Sequence, residues 1–229
     1  MKTKIILLFL ISVLLVGCFA PLNLSYDSAK TLDKGQIEVQ GAYSRYYAPN
    51  DSLPSTLINS NYGFSLGYGI TKRYTLKFRY EYISPSSIFK DVFDSKDYNN
   101  LFSLSYFEIN NKLQLAKENL AISLPLGAYF YNRSVLKGGL GLIMAFDPRL
   151  YITFFRSSKV FDLTIVPKAH ILFGSGFGGL TPGLSVGMGF SSDLDKWAIR
   201  PEIGYDAFLS FGIGANINFN TTKKTDSAK

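Results

Sequence analysis

The sequence predicts an all-β chain folded as a closed, antiparallel, up-and-down barrel of about ten strands, with eight as the alternative count. Three observations predict it. Apolar and polar residues alternate with period two over most of the chain, as strands with two unlike faces require. The 19 Phe and 15 Tyr occur beside 20 Gly, a pairing that suits closely spaced strands rather than helices. Hydrophobic residues make up 47% of the 229, yet after residue 20 no apolar run approaches the roughly 18–20 residues of a spanning helix.

The first element is not structural. Lys2 and Lys4 precede an apolar stretch, Ile5 to Val16, broken only by Ser12, which is the layout of a secretory signal. It ends in Leu15-Val16-Gly17-Cys18. That tetrapeptide resembles the lipobox of bacterial lipoproteins, and Cys18 is the only cysteine, so no intrachain disulfide can form. The resemblance implies a signal over 1–17, cleavage after Gly17 and acylation of Cys18. Phe19 does not match the Asp linked to inner-membrane retention, so outer-membrane sorting is consistent with it. Residues 18–35 then read as an irregular lipidated lead-in that closes on the turn Asp33-Lys34-Gly35.

The strands follow in order. Residues 36–47 set Ile37, Val39 and Tyr43 against Glu38, Gln40 and Ser44. Residues 61–71 set Tyr62, Phe64, Leu66, Tyr68 and Ile70 against Gly63, Ser65, Gly67 and Gly69. After a turn at 71–73, Tyr74, Leu76, Phe78, Tyr80 and Tyr82 oppose Thr75, Lys77, Arg79 and Glu81; these two segments make the strongest hairpin. A polar loop spans 84–99. The fourth strand, about 100–113, places Phe102, Leu104 and Tyr106 on one face and slips phase near Glu108, which reads as a bulge. The fifth carries Leu120, Ile122, Leu124, Leu126, Ala128 and Phe130. The sixth keeps Leu140, Leu142, Met144, Phe146, Leu150, Ile152 and Phe154 in one phase, opposite Asp147, Arg149 and Thr153. The seventh sets Leu163, Ile165, Pro167, Ala169 and Ile171 against Thr164, Lys168 and His170. Gly174 to Gly179 reads as a flexible loop; it lacks the Lys-Ser/Thr ending of a phosphate loop. The eighth, ninth and tenth strands centre on Leu184–Phe190, Trp197–Tyr205 and Phe211–Phe219. The barrel thus covers 36–219, and 220–229 form a polar tail.

Alternation alone also fits a soluble sandwich. Apolar faces about five residues long match strands of roughly 9–11 residues crossing a bilayer at a tilt. The opposite faces carry Gly, Ser, Thr and charges that fill a narrow lumen. An even strand number puts both termini on one side, here the periplasm. The outward connections, 48–60, 84–99, 132–137 and 174–180, are on average longer than the turns 71–73, 116–119, 156–160 and 192–196. By this pattern the chain resembles the small outer-membrane β-barrel proteins of Gram-negative bacteria. The final strand, ending on Phe219, resembles the signal read by the barrel-assembly machinery. That resemblance implies outer-membrane lipids and the assembly and lipoprotein-export machineries as partners.

The chemistry is sparse. There are 24 basic and 17 acidic residues; without Lys2 and Lys4 the basic count is 22, and no dense cationic stripe suggests nucleic acid. The phase puts Glu38, Lys77, Arg79, Glu81, Asp147, Arg149, Lys168, His170, Arg200 and Glu202 on the lumenal faces. They read as a charge-paired plug, with a selectivity constriction or ligand-binding interior as the alternative. Lipid A deacylases resemble a His-Ser arrangement, but Leu172 stands two residues after His170, the sole histidine. Asp147, Asp162 and Asp206 form no recognisable omptin-like set. No metal or other cofactor is expected. The leading expectation is a non-enzymatic lipoprotein barrel serving as a structural or binding platform through its outer loops, where an external ligand or protein partner would bind. A small pore and a lipid-modifying enzyme are the alternatives.

Overall fold

The computed structural model describes residues 24–48, 56–85, 104–132, 140–174, 177–206 and 208–221. Twelve β-segments form one sheet: β1 (Gln36–Ala48), β2 (Thr56–Thr71), β3 (Tyr74–Pro85), β4 (Leu104–Ala116), β5 (Leu120–Ser123), β6 (Leu126–Asn132), β7 (Leu140–Phe146), β8 (Arg149–Phe154), β9 (Phe161–Gly174), β10 (Phe177–Phe190), β11 (Trp197–Tyr205) and β12 (Leu209–Asn220). All pairings are antiparallel, and β12 pairs with β1 from Gln36↔Asn220 to Tyr47↔Leu209, so the sheet closes on itself without a free edge.

The twelve segments make ten staves. β5 and β6 are one stave broken at Leu124-Pro125, and β7 and β8 one broken at Asp147-Pro148. Proline has no N–H to give to the ladder. The two breaks face each other, and the chain repairs them locally. The Asp147 amide donates to the Pro125 carbonyl at 3.1 Å, and the Ala169 amide to that of Pro148 at 3.1 Å. The side-chain phase continues across both breaks.

The wall is inside-out relative to a soluble protein. Tyr62, Phe64, Leu66, Tyr68 and Ile70 on β2 point outward and are exposed, as are Leu184, Met188 and Phe190 on β10. Between them Asn61, Ser65 and Ser185 are buried in the interior. An apolar band around a polar interior is the arrangement of a barrel surrounded by lipid.

Three expectations are corrected. There is no bulge at Glu108, where β4 pairs in unbroken register with both neighbours. Leu104 and Tyr106 are buried inside with Glu108, Asn110 and Lys112, while Phe107, Ile109 and Leu113 face out. The inward tyrosine mimics an outward residue, which produced the apparent slip; Phe102 lies outside the described residues. Most of the expected loop at 174–180 is strand instead, since β9 runs to Gly174 and β10 begins at Phe177. Gly178 and Gly179 belong to β10 and pair with Phe173 and Leu172, and Gly174 takes φ +124, open to glycine. Finally, β2 begins at Thr56, inside the expected 48–60 loop, because its ladder with β1 extends to Ala48↔Thr56.

The lead-in has no regular structure from Leu24 to Asp33, but it is not outside the barrel. Leu24, Ser25, Tyr26, Ser28, Ala29, Thr31 and Leu32 are all buried. The segment starts beside Gly204 and Gly212 and runs within the lumen to Gly69 at the short-turn end. There the Gly35 amide bonds the Gly69 carbonyl at 2.8 Å, and Thr221 N bonds the Gly35 carbonyl at 3.3 Å. Glycines on the wall make the room. A Cβ at Gly214 would lie 2.7 Å from the Tyr26 ring, and one at Gly69 would overlap the Asp33 carbonyl.

A charge introduced on the outward band should destabilise insertion. Leu66→Arg is expected to lower unfolding free energy in lipid vesicles by about 2–4 kcal/mol, read from urea titration against the wild type. An unchanged midpoint would mean that this face does not contact lipid.

Candidate functional site

The candidate site is the lumen, because the strand pleat sends every second side chain into it and most of these are polar. At the short-turn end, Lys30 Nζ donates to Asp195 Oδ1 at 2.6 Å, and Arg156 Nη2 reaches the same oxygen at 2.5 Å. Thr31 bonds Gln114 Oε1 through both its amide (3.2 Å) and its hydroxyl (2.7 Å). Asp195 sits in the turn between β10 and β11. Partial burial alone would raise its carboxyl, but the Lys30 and Arg156 cations hold it below the usual carboxylate range.

Above this mouth the irregular segment supplies its own acid. Asp27 receives Lys77 Nζ at 3.0 Å and Lys112 Nζ at 3.0 Å. Lys77 also pairs with Glu38 at 2.6 Å, and Lys112 donates to the carbonyls of Ser28 and Lys30. Arg200 forms a two-pronged pair with Asp162 at 2.8 and 2.9 Å. A small polar cavity of about 30 Å³, lined by Asp27, Lys30, Glu38, Arg200 and Asn216 among others, lies here. It has room for ordered water among polar partners.

At mid-height the wall grips the inserted backbone. Glu202 accepts from the amides of Ser25 at 3.1 Å and Tyr26 at 2.5 Å. Arg79 donates to the Leu24 carbonyl at 2.7 Å and pairs with Glu81. Gln40 donates to the Tyr26 carbonyl at 2.8 Å. The Ala29 and Leu32 amides find the hydroxyls of Thr153 at 2.7 Å and Thr75 at 2.9 Å. An irregular segment buried without such partners would leave amides unsatisfied, each costing roughly 1–3 kcal/mol.

On the opposite wall, Arg149 forks onto Glu108 at 2.7 and 3.2 Å. Asp147 is held by Tyr106 OH at 2.9 Å and by His170 Nδ1, while His170 Nε2 meets Tyr129 OH at 3.3 Å. Lys168 Nζ is buried without a hydrogen-bond partner among the described residues, in the field of Glu202 and Asp206. Towards the loop end, Ile83, Leu104, Tyr106, Tyr129, Ile143, Ala145 and Leu172 form a buried apolar layer. The lumen is therefore occupied along its length.

All ten of the lumenal residues named from the sequence lie inside the barrel. The structure brings together Glu38 with Lys77, Arg79 with Glu81, Asp147 with His170, and Glu202 with the inserted segment. It pairs Arg149 and Arg200 with residues the sequence reading did not assign to the network, Glu108 and Asp162. Lys112 and Asp27 were also missed. Glu108 and Lys112 share the inward phase of β4 and could have been found from it; Asp27 lies in a segment with no period. Cys18 lies outside the described residues. Among the described residues no group of three or more His, Cys, Asp or Glu could hold a metal ion.

No protein-family model matches this sequence, and no curated protein matches it. Solved structures with similar shape include an outer membrane channel from Pseudomonas putida F1, at 11% identity and TM-score 0.46, covering 86% of this chain and 100% of that one. The translocator domain of the autotransporter NalP from Neisseria meningitidis is 8% identical with TM-score 0.43, covering 95% of each chain. The N-terminal β-barrel domain of Pseudomonas aeruginosa OprF is 11% identical with TM-score 0.35, covering 81% and 98%. The closed ten-stave architecture itself rests on the strand pairing of this chain.

Two outcomes follow from the lumen. Arg149→Met strands Glu108 in the interior and should cost about 3–5 kcal/mol of unfolding free energy, whereas Arg149→Met with Glu108→Leu should recover most of it; equal losses in both would remove the pair from the account. Asp195 adds stability at neutral pH that is present above its unfolded value of about 3.9 and is lost as pH falls through its lower folded value. Protease protection of the Lys30 region should therefore weaken only in acid below pH ~4, and Asp195→Asn should show the weakened protection already at neutral pH.

Proposed function

We propose that this chain is a non-enzymatic outer-membrane lipoprotein barrel, closed to free diffusion, that serves as a structural or binding platform through its loop end. The single observation that carries the reading is the residue 24–33 segment, which lies inside the lumen and is bonded to staves all around it. A lumen of eight to ten strands is narrow enough for side chains alone to fill. Here a stretch of backbone fills it as well.

The inside-out wall supports a bilayer as surroundings. The secretory signal and the assembly-type final strand support the bacterial outer membrane, with the barrel-assembly and lipoprotein-export machineries as partners during biogenesis. Cys18 is the proposed acylation site, the acyl chains adding about 0.8 kcal/mol of membrane affinity per buried methylene. The ends of β1 and β12 meet at the short-turn end, which this reading turns to the periplasm. Five residues lie between Cys18 and Leu24, a span of at most about 20 Å. The enzyme alternative loses support at His170. Both its ring nitrogens are engaged, by Asp147 and Tyr129, and it is 6% exposed.

In planar bilayers the wild-type barrel should show no stepwise conductance, while a Gly212→Val/Gly214→Val variant, which takes the space of Tyr26, should open one. Steady conductance from the wild type would replace the platform with a pore. Mass spectrometry should find a diacyl or triacyl adduct that Cys18→Ala abolishes; a chain cleaved without acylation would remove the anchor and leave the barrel.

A further inference from the structure

The outward faces of the staves carry almost no charge, and the exception is specific. On β1 the outward residues are Ile37, Val39, Gly41, Tyr43, Arg45 and Tyr47. Among the described strand residues that face outward, Arg45 is the only charged one. A cation facing lipid is disfavoured at mid-membrane and tolerated only near the headgroups. Arg45 lies three residues from the end of β1, opposite Ser60 and Phe211, towards the loop end.

Its side chain is fixed, not merely reaching for water. Arg45 Nε donates to the Tyr43 hydroxyl at 2.6 Å, and the guanidinium carbon lies 5.8 Å from the Tyr43 ring centroid. Tyr43 is itself anchored to Ser60 at 3.5 Å, and Tyr47 lines the wall on the other side of Arg45. Tyr47 and Phe211 meet edge-to-face at 6.1 Å. Together with Ile213 these side chains border an open groove of about 420 Å³ on the outer wall. The groove combines an apolar floor with one pre-oriented cation. Guanidinium recognises phosphate through a planar fork of donors, and Tyr43 takes only the Nε donor of the five.

We propose that this groove binds one membrane lipid with a phosphate-bearing headgroup. Arg45 takes the phosphate, Tyr43 holds Arg45 in place, and Tyr47, Phe211 and Ile213 seat the start of an acyl chain. The site rests on the membrane reading given above, and the two fail separately. Loss of the membrane reading would show as failure to insert into nanodiscs, whereas loss of the site would show only in which lipid is retained.

The test is native mass spectrometry of the full chain released from phosphatidylcholine nanodiscs doped with phosphatidic acid. The wild type should retain one phosphatidic acid in preference to phosphatidylcholine. Arg45→Gln should lower that retention about tenfold, in line with the loss of a charge-assisted contact, and Arg45→Lys should fall between. Equal retention by wild type and Arg45→Gln would overturn the site. So would equal retention of the two lipids by the wild type, a comparison that needs no variant to fold.

Discussion

The interior of a narrow barrel cannot hold enough water to satisfy a wall of charges, and this constraint organises the molecule. Lys77, Lys112, Arg79, Glu202 and Gln40 all point inward because the pleat leaves them no alternative. The wall pairs off only some of them by itself, Lys77 with Glu38 and Arg79 with Glu81. Asp27 neutralises two lysines, and backbone groups from Leu24 to Lys30 accept from or donate to Arg79, Gln40, Lys112 and Glu202. The inserted segment and the wall are each incomplete alone. Burying charges of this kind is rarely a net gain over an apolar core. In a lipid-facing barrel, however, the apolar residues are already committed to the outside.

The same constraint explains the glycines. Inward positions on β2 and β12 are stripped at Gly67, Gly69, Gly212 and Gly214 where the segment passes, while bulky inward residues such as Tyr106 and Tyr129 close the half it does not reach. Gly127 belongs to the second pattern, since its bare backbone accommodates the Tyr106 ring. Small residues and large tyrosines thus divide the lumen into a portion filled by chain and a portion filled by side chains. The small polar cavity among Asp27, Glu38 and Arg200 shows how little space remains.

Much of the wall was legible in the sequence because period two is a direct image of the pleat. The hairpin from Tyr62 to Tyr82 and the phases of the strands around Leu126, Leu163 and Ile213 carry over to the structure, and the ten-stave count with them. Legibility failed where side-chain type and direction part company. Tyr106 is aromatic yet inward, so β4 looked bulged. Gly178 and Gly179 looked like a loop but are strand residues, because glycine on a wall and glycine in a turn are the same letter. The interior segment was invisible for a deeper reason. Residues 24–33 have no period, and their partners lie up to 177 positions away, as with Ser25 and Glu202.

The inserted segment is part of the folded core, and the direct measurement is amide hydrogen exchange of the refolded full chain in detergent micelles. The amides of Ser25, Tyr26, Ala29 and Leu32 donate to Glu202, Thr153 and Thr75, so they should exchange as slowly as strand amides of β1 and β12. Exchange at the rate of an unstructured peptide at these four positions, with the strands still protected, would contradict it.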